Sequence, residues 1–437
     1  MMPDFLRKNN GKQWKITRLF SEIESSSQKE ELELIIEIES KKKGDICRQL
    51  RRIGKCTLYE FVPYLSLKCS AEDAKKIANH VYKKITDARF ERNFQYALQN
   101  IISIELSNKV SIPPMKPGIN YYFRKRAEDE RFWNLENIGA YEALKSSSGS
   151  GIKIGIIDTG VDYTHTELRN SFSADKGYDF VEKSSKPLDK NGHGTHVAGI
   201  AAGRNCGIAR NSTLYSLRVL DEDGGGSEAD VMLAIEWALK NNLHIVNMSL
   251  GSPEASDAFK EMCYYAASRN LMIVAAAGND GTFIYSYPAS FEPVISVAAV
   301  DRNNEHAYFS NMNDLLDISA PGVDIVSSYL DNSYRMLSGT SMASPHVTGT
   351  LALALSINKD AERVEEFMKK YAQYLDSPDN HDNSCIFGAG LIRADSMVNK
   401  LRGSSRILEK IKSYEKKEAN IKESGIKKVF EVIKKYW

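Results

Sequence analysis

The stretch that decides the fold reads NGHGTHVAG and spans residues 191–199. His193 lies between two glycines, and the small apolar residues that follow it are typical of a helix packed closely against its neighbours. His196 lies three residues further on, so the two histidines could hold a metal ion. No Glu lies between them and no third ligand follows at a helical interval. We therefore interpret His196 as structural and predict no metal site here.

A second segment, IKIGIID at 152–158, ends in a carboxylate. Its apolar, β-branched residues indicate a strand buried within a parallel sheet. Asp158 would then lie at the carboxyl end of that strand, where open α/β sheets bind their ligands. The alternative interpretation of Asp158 is an N-cap for a following helix.

A third segment, GTSMASPH at 339–346, supplies a hydroxyl. Gly339 permits a sharp turn, so Ser341 is predicted at the start of a helix. Backbone N–H groups and the positive end of the helix dipole are available there to a developing negative charge. Pro345 is compatible with this helix because proline costs little near a helix start.

These three side chains together fit one kind of chemistry. A serine hydroxyl is a poor nucleophile at neutral pH, so an imidazole must take its proton during attack and return it to the leaving amine. A buried carboxylate holds the imidazole in the correct tautomer. We assign Ser341 as nucleophile, His193 as base and Asp158 as orienting acid.

Asn279 extends this set. The segment LMIVAAAGN at 271–279 reads as a buried strand that ends in Gly-Asn. The Asn279 side-chain amide could stabilise the oxyanion that forms during acyl transfer. Taken alone, the same residues are equally typical of an ordinary turn at the end of a strand.

The four segments resemble the boxes that members of the subtilisin family of serine endopeptidases carry in the same order. The resemblance runs from about residue 133 to about residue 397. It implies an α/β fold with a largely parallel sheet flanked by helices, and hydrolysis of protein or peptide substrates without a cofactor. It also implies substrate binding through backbone groups, although plain core strand is the alternative, at Ser249, Leu250, Gly251, Ala276, Ala277 and Gly278.

Two features bear on specificity and metal binding. The loop at 221–230 carries five acidic residues and is either a negative part of the cleft or a merely solvated loop. Between His193 and Gly207 the chain is several residues shorter than in the calcium-dependent secreted subtilisins. Glu167 could replace one carboxylate ligand, but the calcium loop itself is missing, so we predict no bound metal.

Composition excludes some functions. A formal net charge of +1 argues against nucleic acid as the main partner, because phosphate binding needs a basic face. No apolar run is long enough for a membrane span and no secretory signal is visible, so we expect an intracellular, cytoplasmic protein without a membrane partner. The six cysteines have no CxxC or metal-binding spacing and are expected to be reduced.

The chain is predicted to contain five parts. Residues 31–100 suggest a small α+β domain in the order strand-helix-strand-strand-helix-strand, which resembles an inhibitory propeptide. Its elements are predicted at 32–38, 45–53, 57–69, which suggests one or two strands, 71–84 and 87–94. The other parts are a polar segment at 1–30, a linker and processing region at 101–130, the catalytic domain at 131–402 and a charged amphipathic helical extension at 403–437.

We therefore expect a serine endopeptidase made as a zymogen that Ser341 cuts between residues 96 and 126. The N-terminal domain would be its intramolecular inhibitor, or alternatively a permanent accessory domain with an uncut junction. Two other functions remain open from the sequence: a silent binding protein that keeps the fold, and an enzyme restricted to oligopeptides or one precursor.

Overall fold

The computed structural model describes residues 19–26, 31–38, 43–83, 97, 101–114, 119–121, 132–377 and 382–404, with the backbone alone at 119–121. The N-terminal part is an antiparallel sheet in the order β2-β3-β1-β4 with helices on one face. Its elements are β1 (Glu31–Ile38), α1 (Lys43–Leu50), β2 (Gly54–Leu58), β3 (Tyr64–Ser70), α2 (Ala71–Ala78) and β4 (Ile101–Leu106). This is the predicted order of strands and helices.

The fourth strand of this sheet lies later in the chain than predicted. The expected strand at 87–94 falls outside the described residues, and β4 pairs with β1 instead. Ile104 in β4 is buried in the core beneath the helices, which explains why this stretch joins the sheet. The segment 101–130 is therefore not a simple linker, because its first residues complete the N-terminal sheet.

The central sheet of the catalytic part has seven parallel strands, each buried on both faces. Two short strands, β5 (Lys109–Ser111) and β6 (Ile119–Tyr121), come before it in the chain. The central strands are β7 (Lys153–Asp158), β8 (Gly177–Asp179), β9 (Thr213–Arg218), then, after the short β10 (Gly225–Ser227), β11 (Ile245–Met248), β12 (Met272–Ala276), β13 (Ile295–Val300) and β14 (Ile318–Pro321). A hairpin of β15 (Ile325–Tyr329) and β16 (Ser333–Leu337) follows, and β6 pairs with its outer edge.

Helices cover both faces of the central sheet, which confirms the predicted fold class. They are α3 (Trp133–Asn137), α4 (Ala140–Leu144), α5 (His193–Ala202), α6 (Glu228–Lys240), α7 (Asp257–Ser268), α8 (Thr340–Leu355), α9 (Ala361–Lys370) and α10 (Ser384–Phe387). Helices α6 and α7 pack on one face, and α5, α8 and α9 share the core on the other. Continuous apolar strands are typical of such a doubly covered sheet.

The strand order brings the predicted site residues together. The sheet runs β14-β13-β12-β11-β7-β9-β8, so β7 lies beside β11, although they are far apart in sequence. Asp158 ends β7, Ser249 follows β11 and Asn279 follows β12. Parallel strands present their carboxyl ends at one edge, so all three residues lie at the same crevice.

The N-terminal sheet packs against the catalytic part through its open face. Ile35, Tyr59, Val62 and Tyr64 share one hydrophobic core with α6 and α7. The chain then enters the crevice through β5. No helix within the described ranges is long and apolar enough to cross a membrane. Of the predicted C-terminal extension, residues 405–437 lie outside the described part.

Candidate active site

Asp158 and His193 form the central contact of the site. Nδ1 of His193 lies 2.8 Å from Oδ1 of Asp158, and both side chains are completely buried. The backbone N–H of Thr159 donates a second hydrogen bond to the same oxygen at 2.7 Å. Because the carboxylate accepts at Nδ1, neutral His193 carries its proton there and leaves Nε2 as the basic nitrogen.

Asp189, which was not predicted from the sequence, holds the loop that positions His193. Its two oxygens accept five hydrogen bonds, from Thr159 Oγ1, from the backbone N–H groups of Asn191, Gly192 and Thr195, and from Thr195 Oγ1. Burial raises the pKa of Asp189, although these donors oppose the shift. The feature of the sequence that could have revealed Asp189 is an acidic residue two positions before the NGHG stretch.

The two glycines around His193 are required by close packing. Gly192 has a φ of 106°, and a Cβ there would lie 2.3 Å from the ring of Tyr329. A Cβ on Gly194 would lie 2.1 Å from the carbonyl oxygen of Gly160 and 3.1 Å from Asp158. Helix α5 can therefore begin directly against the strand end that carries the carboxylate.

Ser341 is the second residue of α8, as predicted for the start of a helix. Its side chain is completely buried, and its Oγ donates to the carbonyl oxygen of Ser249 at 3.3 Å. Nε2 of His193 has no hydrogen-bond partner among the described residues. The hydroxyl of Ser341 is thus directed to Ser249.

Asn279 is oriented by the residue before the serine. Its Oδ1 accepts from the backbone N–H and the Oγ1 of Thr340, at 2.9 and 2.7 Å. These two donors fix which end of the amide is oxygen. Nδ2 consequently faces the crevice, where it donates to the carbonyl oxygen of Pro114 at 3.0 Å.

The occupant of the crevice is the chain's own segment 109–114. Strand β5 pairs antiparallel with β10, which lies within the acidic loop at 221–230. Ser111 exchanges both backbone hydrogen bonds with Gly251, at 3.1 and 3.0 Å, and Ile112 donates to the carbonyl of Gly224 at 3.1 Å. Gly224 allows this approach, since a Cβ there would lie 2.6 Å from the Ile112 side chain.

The six predicted substrate-binding residues fall into two groups. Ser249, Leu250 and Gly251 form the edge along which the segment runs, and Gly251 pairs with it. The other three are Ala276, Ala277 and Gly278. Ala276 lies within β12, and the N–H groups of Ala277 and Gly278 donate to Val297 O and Thr340 Oγ1. The N–H groups of Ala277 and Gly278 are therefore bonded within the catalytic part, whereas that of Gly251 is bonded to Ser111 of the segment in the crevice.

Glu167, which the sequence suggested as a calcium ligand, is surrounded by hydrogen-bond donors of the protein. Its carboxylate accepts from the N–H and side-chain amide of Asn205 at 2.6 and 2.7 Å, and from the Tyr334 hydroxyl at 2.6 Å. The N–H and thiol of Cys206 complete the set at 3.3 and 3.5 Å. Burial acts to raise the pKa of Glu167, but the hydrogen bonds outweigh it and lower the pKa. A carboxylate surrounded by donors does not fit a cation, and the described residues contain no metal-binding cluster.

Two further histidines lie near the site without joining it. Nε2 of His196 faces the carbonyl oxygens of Ile325 and Arg335 at 3.1 and 2.9 Å. Complete burial lowers the pKa of His196 to about 3 and that of His346 to about 4. Both rings are therefore neutral at ordinary pH and connect buried segments.

The site defines a class of hydrolase, and comparison with known proteins gives its family. A model described as the subtilase family matches residues 149–390, more than half of the chain. The chain belongs to this family and is a subtilisin-like serine endopeptidase.

Several characterised proteases are similar to this chain. A thermostable alkaline protease of Halalkalibacterium halodurans is 39% identical over 270 residues, which cover 60% of this chain and 72% of that protein. Subtilisin DY of Bacillus licheniformis is 40% identical over 259 residues, covering 57% and 91%. Subtilisin Savinase of Lederbergia lenta is 38% identical over 272 residues, covering 60% and 97%. All three similarities are long enough to include the site segments.

Replacing Asn279 by Ala is expected to lower kcat by about a hundred- to a thousandfold, because the amide donor is lost from the oxyanion position. KM should change little, since the Asn279 amide binds the neutral carbonyl of the bound substrate more weakly than it binds the oxyanion. Steady-state kinetics on a chromogenic peptide, with enzyme freed of its N-terminal region, would measure both. An unchanged kcat would remove Asn279 from the site.

Replacing Glu167 by Gln is expected to lower the free energy of unfolding by about 1–3 kcal/mol near neutral pH, because the new NH₂ group faces donors. The wild type gains stability from a carboxyl whose pKa is lowered, and loses it as the pH falls through that value. The difference between the two proteins should therefore shrink in acid. Thermal unfolding at several pH values tests this, and a chelator should leave both melting temperatures unchanged.

Proposed function

We propose that this protein cuts peptide bonds through Ser341, His193 and Asp158 and is made as a zymogen restrained by its own N-terminal domain. One observation carries the proposal most strongly. The amide of Asn279 is bonded to the carbonyl of a strand that lies along the same crevice as Ser341 and His193. A substrate bound in this way would present a carbonyl carbon to the serine.

The proposed reaction follows from these positions. Nε2 of His193 takes the proton of Ser341 as Oγ attacks the carbonyl carbon, and the imidazolium is stabilised by Asp158 at 2.8 Å. Nδ2 of Asn279 donates to the oxyanion. His193 then gives the proton to the leaving amine, which leaves an acyl-enzyme on Ser341. Water activated by His193 hydrolyses that ester in the second half of the reaction.

The contacts between the two parts support the proposed role of the N-terminal domain as inhibitor. The Tyr59 hydroxyl donates to the carbonyl of Ala229 at 3.2 Å in a fully buried position. The N–H of Glu60 donates to Glu236 at 2.8 Å, and Lys240 lies 2.7 Å from both Glu60 and Glu236. The domain thereby holds the following segment 109–114 over the catalytic residues.

The same domain also satisfies the N-terminal ends of α6 and α7. Asn108 accepts from the N–H of Glu228 at 2.9 Å and donates to its carboxylate at 3.0 Å. Glu105 accepts from the N–H of Asp257 at 3.0 Å. These N–H groups have no partner within their own helices, so the contacts favour a specific docked position.

The substrates that this arrangement favours are extended segments of protein or peptide. The segment 109–112 is bound mainly through its backbone, between β10 and Gly251. Backbone pairing of this kind accepts many sequences, with side-chain preferences set by alternate positions. Two of the acids in the loop, Glu228 and Asp230, are largely buried at α6, which reduces the negative charge available to the cleft.

Replacing Ser341 by Ala is expected to abolish hydrolysis of casein and labelling by a fluorophosphonate, because the nucleophilic oxygen is removed. The variant should remain full length, while the wild type is shortened between residues 96 and 126. Intact mass of both proteins after the same incubation measures this. Processing of the variant at the same junction would reject self-cleavage.

The hold of the N-terminal domain on α6 is expected to weaken as the pH rises. Burial raises the pKa of Glu228 to about 7, above the ordinary carboxyl range. As the pH rises from that range to about 7, the docked state loses stability, because a buried carboxyl is then ionised less readily than an exposed one. Glu228→Gln should remove most of this dependence. Hydrogen exchange of the α6 amides, in chains that also carry Ser341→Ala, compares about pH 5.5 with about pH 8 after correction for intrinsic rates. Equal pH dependence in both chains would contradict the expectation.

A further inference from the structure

The register of the bound segment identifies the partner of each residue along the crevice. Ser111 and Gly251 exchange both backbone hydrogen bonds and run antiparallel. In an antiparallel pair, such doubly bonded positions recur two residues further along each strand. Residue 113 therefore stands opposite Ser249, where an ordinary residue would donate its N–H to the carbonyl of Ser249.

Residue 113 cannot make that bond because it is proline. Proline has no backbone N–H, and Pro114 lacks one as well. Pro113 is buried. The carbonyl of Ser249 accepts instead from Oγ of Ser341, at 3.3 Å.

Because the Ser341 hydroxyl replaces the missing backbone donor, it is directed away from its proposed base. A serine hydroxyl has one proton to donate, and here it is directed to Ser249. Nε2 of His193, which should receive that proton, is buried and has no partner among the described residues. The oxyanion donor Asn279 is meanwhile occupied by the carbonyl of Pro114. The site thus holds a substrate-like strand with its nucleophile turned from its base.

We propose that residues 109–114 form an inhibitor strand that resists cleavage by its own active site, and that Pro113 and Pro114 provide this resistance. The inference deepens the proposed zymogen function and rests on it. It places the processing cut outside the strand, in the remainder of the region 96–126. A substrate that has an N–H at the position of Pro113 would displace the Ser341 hydroxyl from Ser249 and return it to His193.

The test converts the inhibitor strand into a substrate. Full-length Pro113→Ala/Pro114→Ala regains both N–H groups and loses the ring that would crowd a leaving nitrogen. We expect cleavage between residues 112 and 116 at least about tenfold faster than in the wild type, as one restored hydrogen bond would give. Intact mass over time locates the new N-terminus. The rate should not depend on protein concentration, since the strand is bound within its own molecule.

Two controls separate the outcomes. Pro117→Ala makes the same chemical change outside the inhibitor strand and should stay uncut between residues 112 and 116. Adding Ser341→Ala to the double variant should restore the full-length chain, and its far-UV circular dichroism and melting temperature, compared with those of Ser341→Ala alone, should show that the fold is retained. Cleavage of the wild type within 109–115 would overturn the inhibitor-strand proposal alone. The same holds if the double variant reacts with a fluorophosphonate but stays uncut within 109–115. Absence of labelling in every chain would overturn the proposed hydrolase function together with it.

Discussion

The hydrogen bond between Asp158 and His193 is the contact around which the rest of the site is arranged. A carboxylate with no solvent exposure is stable only when donors surround it. The imidazole and the N–H of Thr159 supply two donors, and they require α5 to begin directly against the end of β7. Glycines on either side of His193 make that approach sterically possible.

Buried carboxylates perform the same task at two other places in the molecule. Asp189 gathers the loop before α5, and Glu167 joins the loop after it to β16 through Asn205 and Tyr334. The donors to Glu167 come from segments that are distant in sequence, whereas those to Asp189 come from its own loop and from Thr159. A single buried carboxylate can therefore cross-link loops, and the cross-link depends on pH because the carboxyl titrates.

The site residues that could be predicted from the sequence are those that lie in short, self-contained segments. Asp158, His193, Ser341 and Asn279 each lie in a short segment whose glycines and apolar run define the turn that presents the side chain, and the structure brings all four to one crevice. Asp189 was missed because its five donors are recognisable only after the loop is folded. The position of β4 was not predicted because its pairing with β1 joins segments that are far apart in the chain. The register of Ser111 against Gly251 is likewise a long-range property.

The pairing of strand β6 has a consequence for a molecule cut as we propose. It pairs with the outer edge of β16, beyond the crevice, whereas β5 lies on the other side of the crevice beside β10. A cut between the two strands therefore divides them: β5 is free to leave with the N-terminal domain, while β6 is still covalently part of the catalytic chain. An uncovered strand edge is a template for intermolecular β-pairing. By keeping β6, a molecule cut there would present the three-residue edge of β6 in place of the five-residue edge of β16, and a short edge is a poorer template for such pairing.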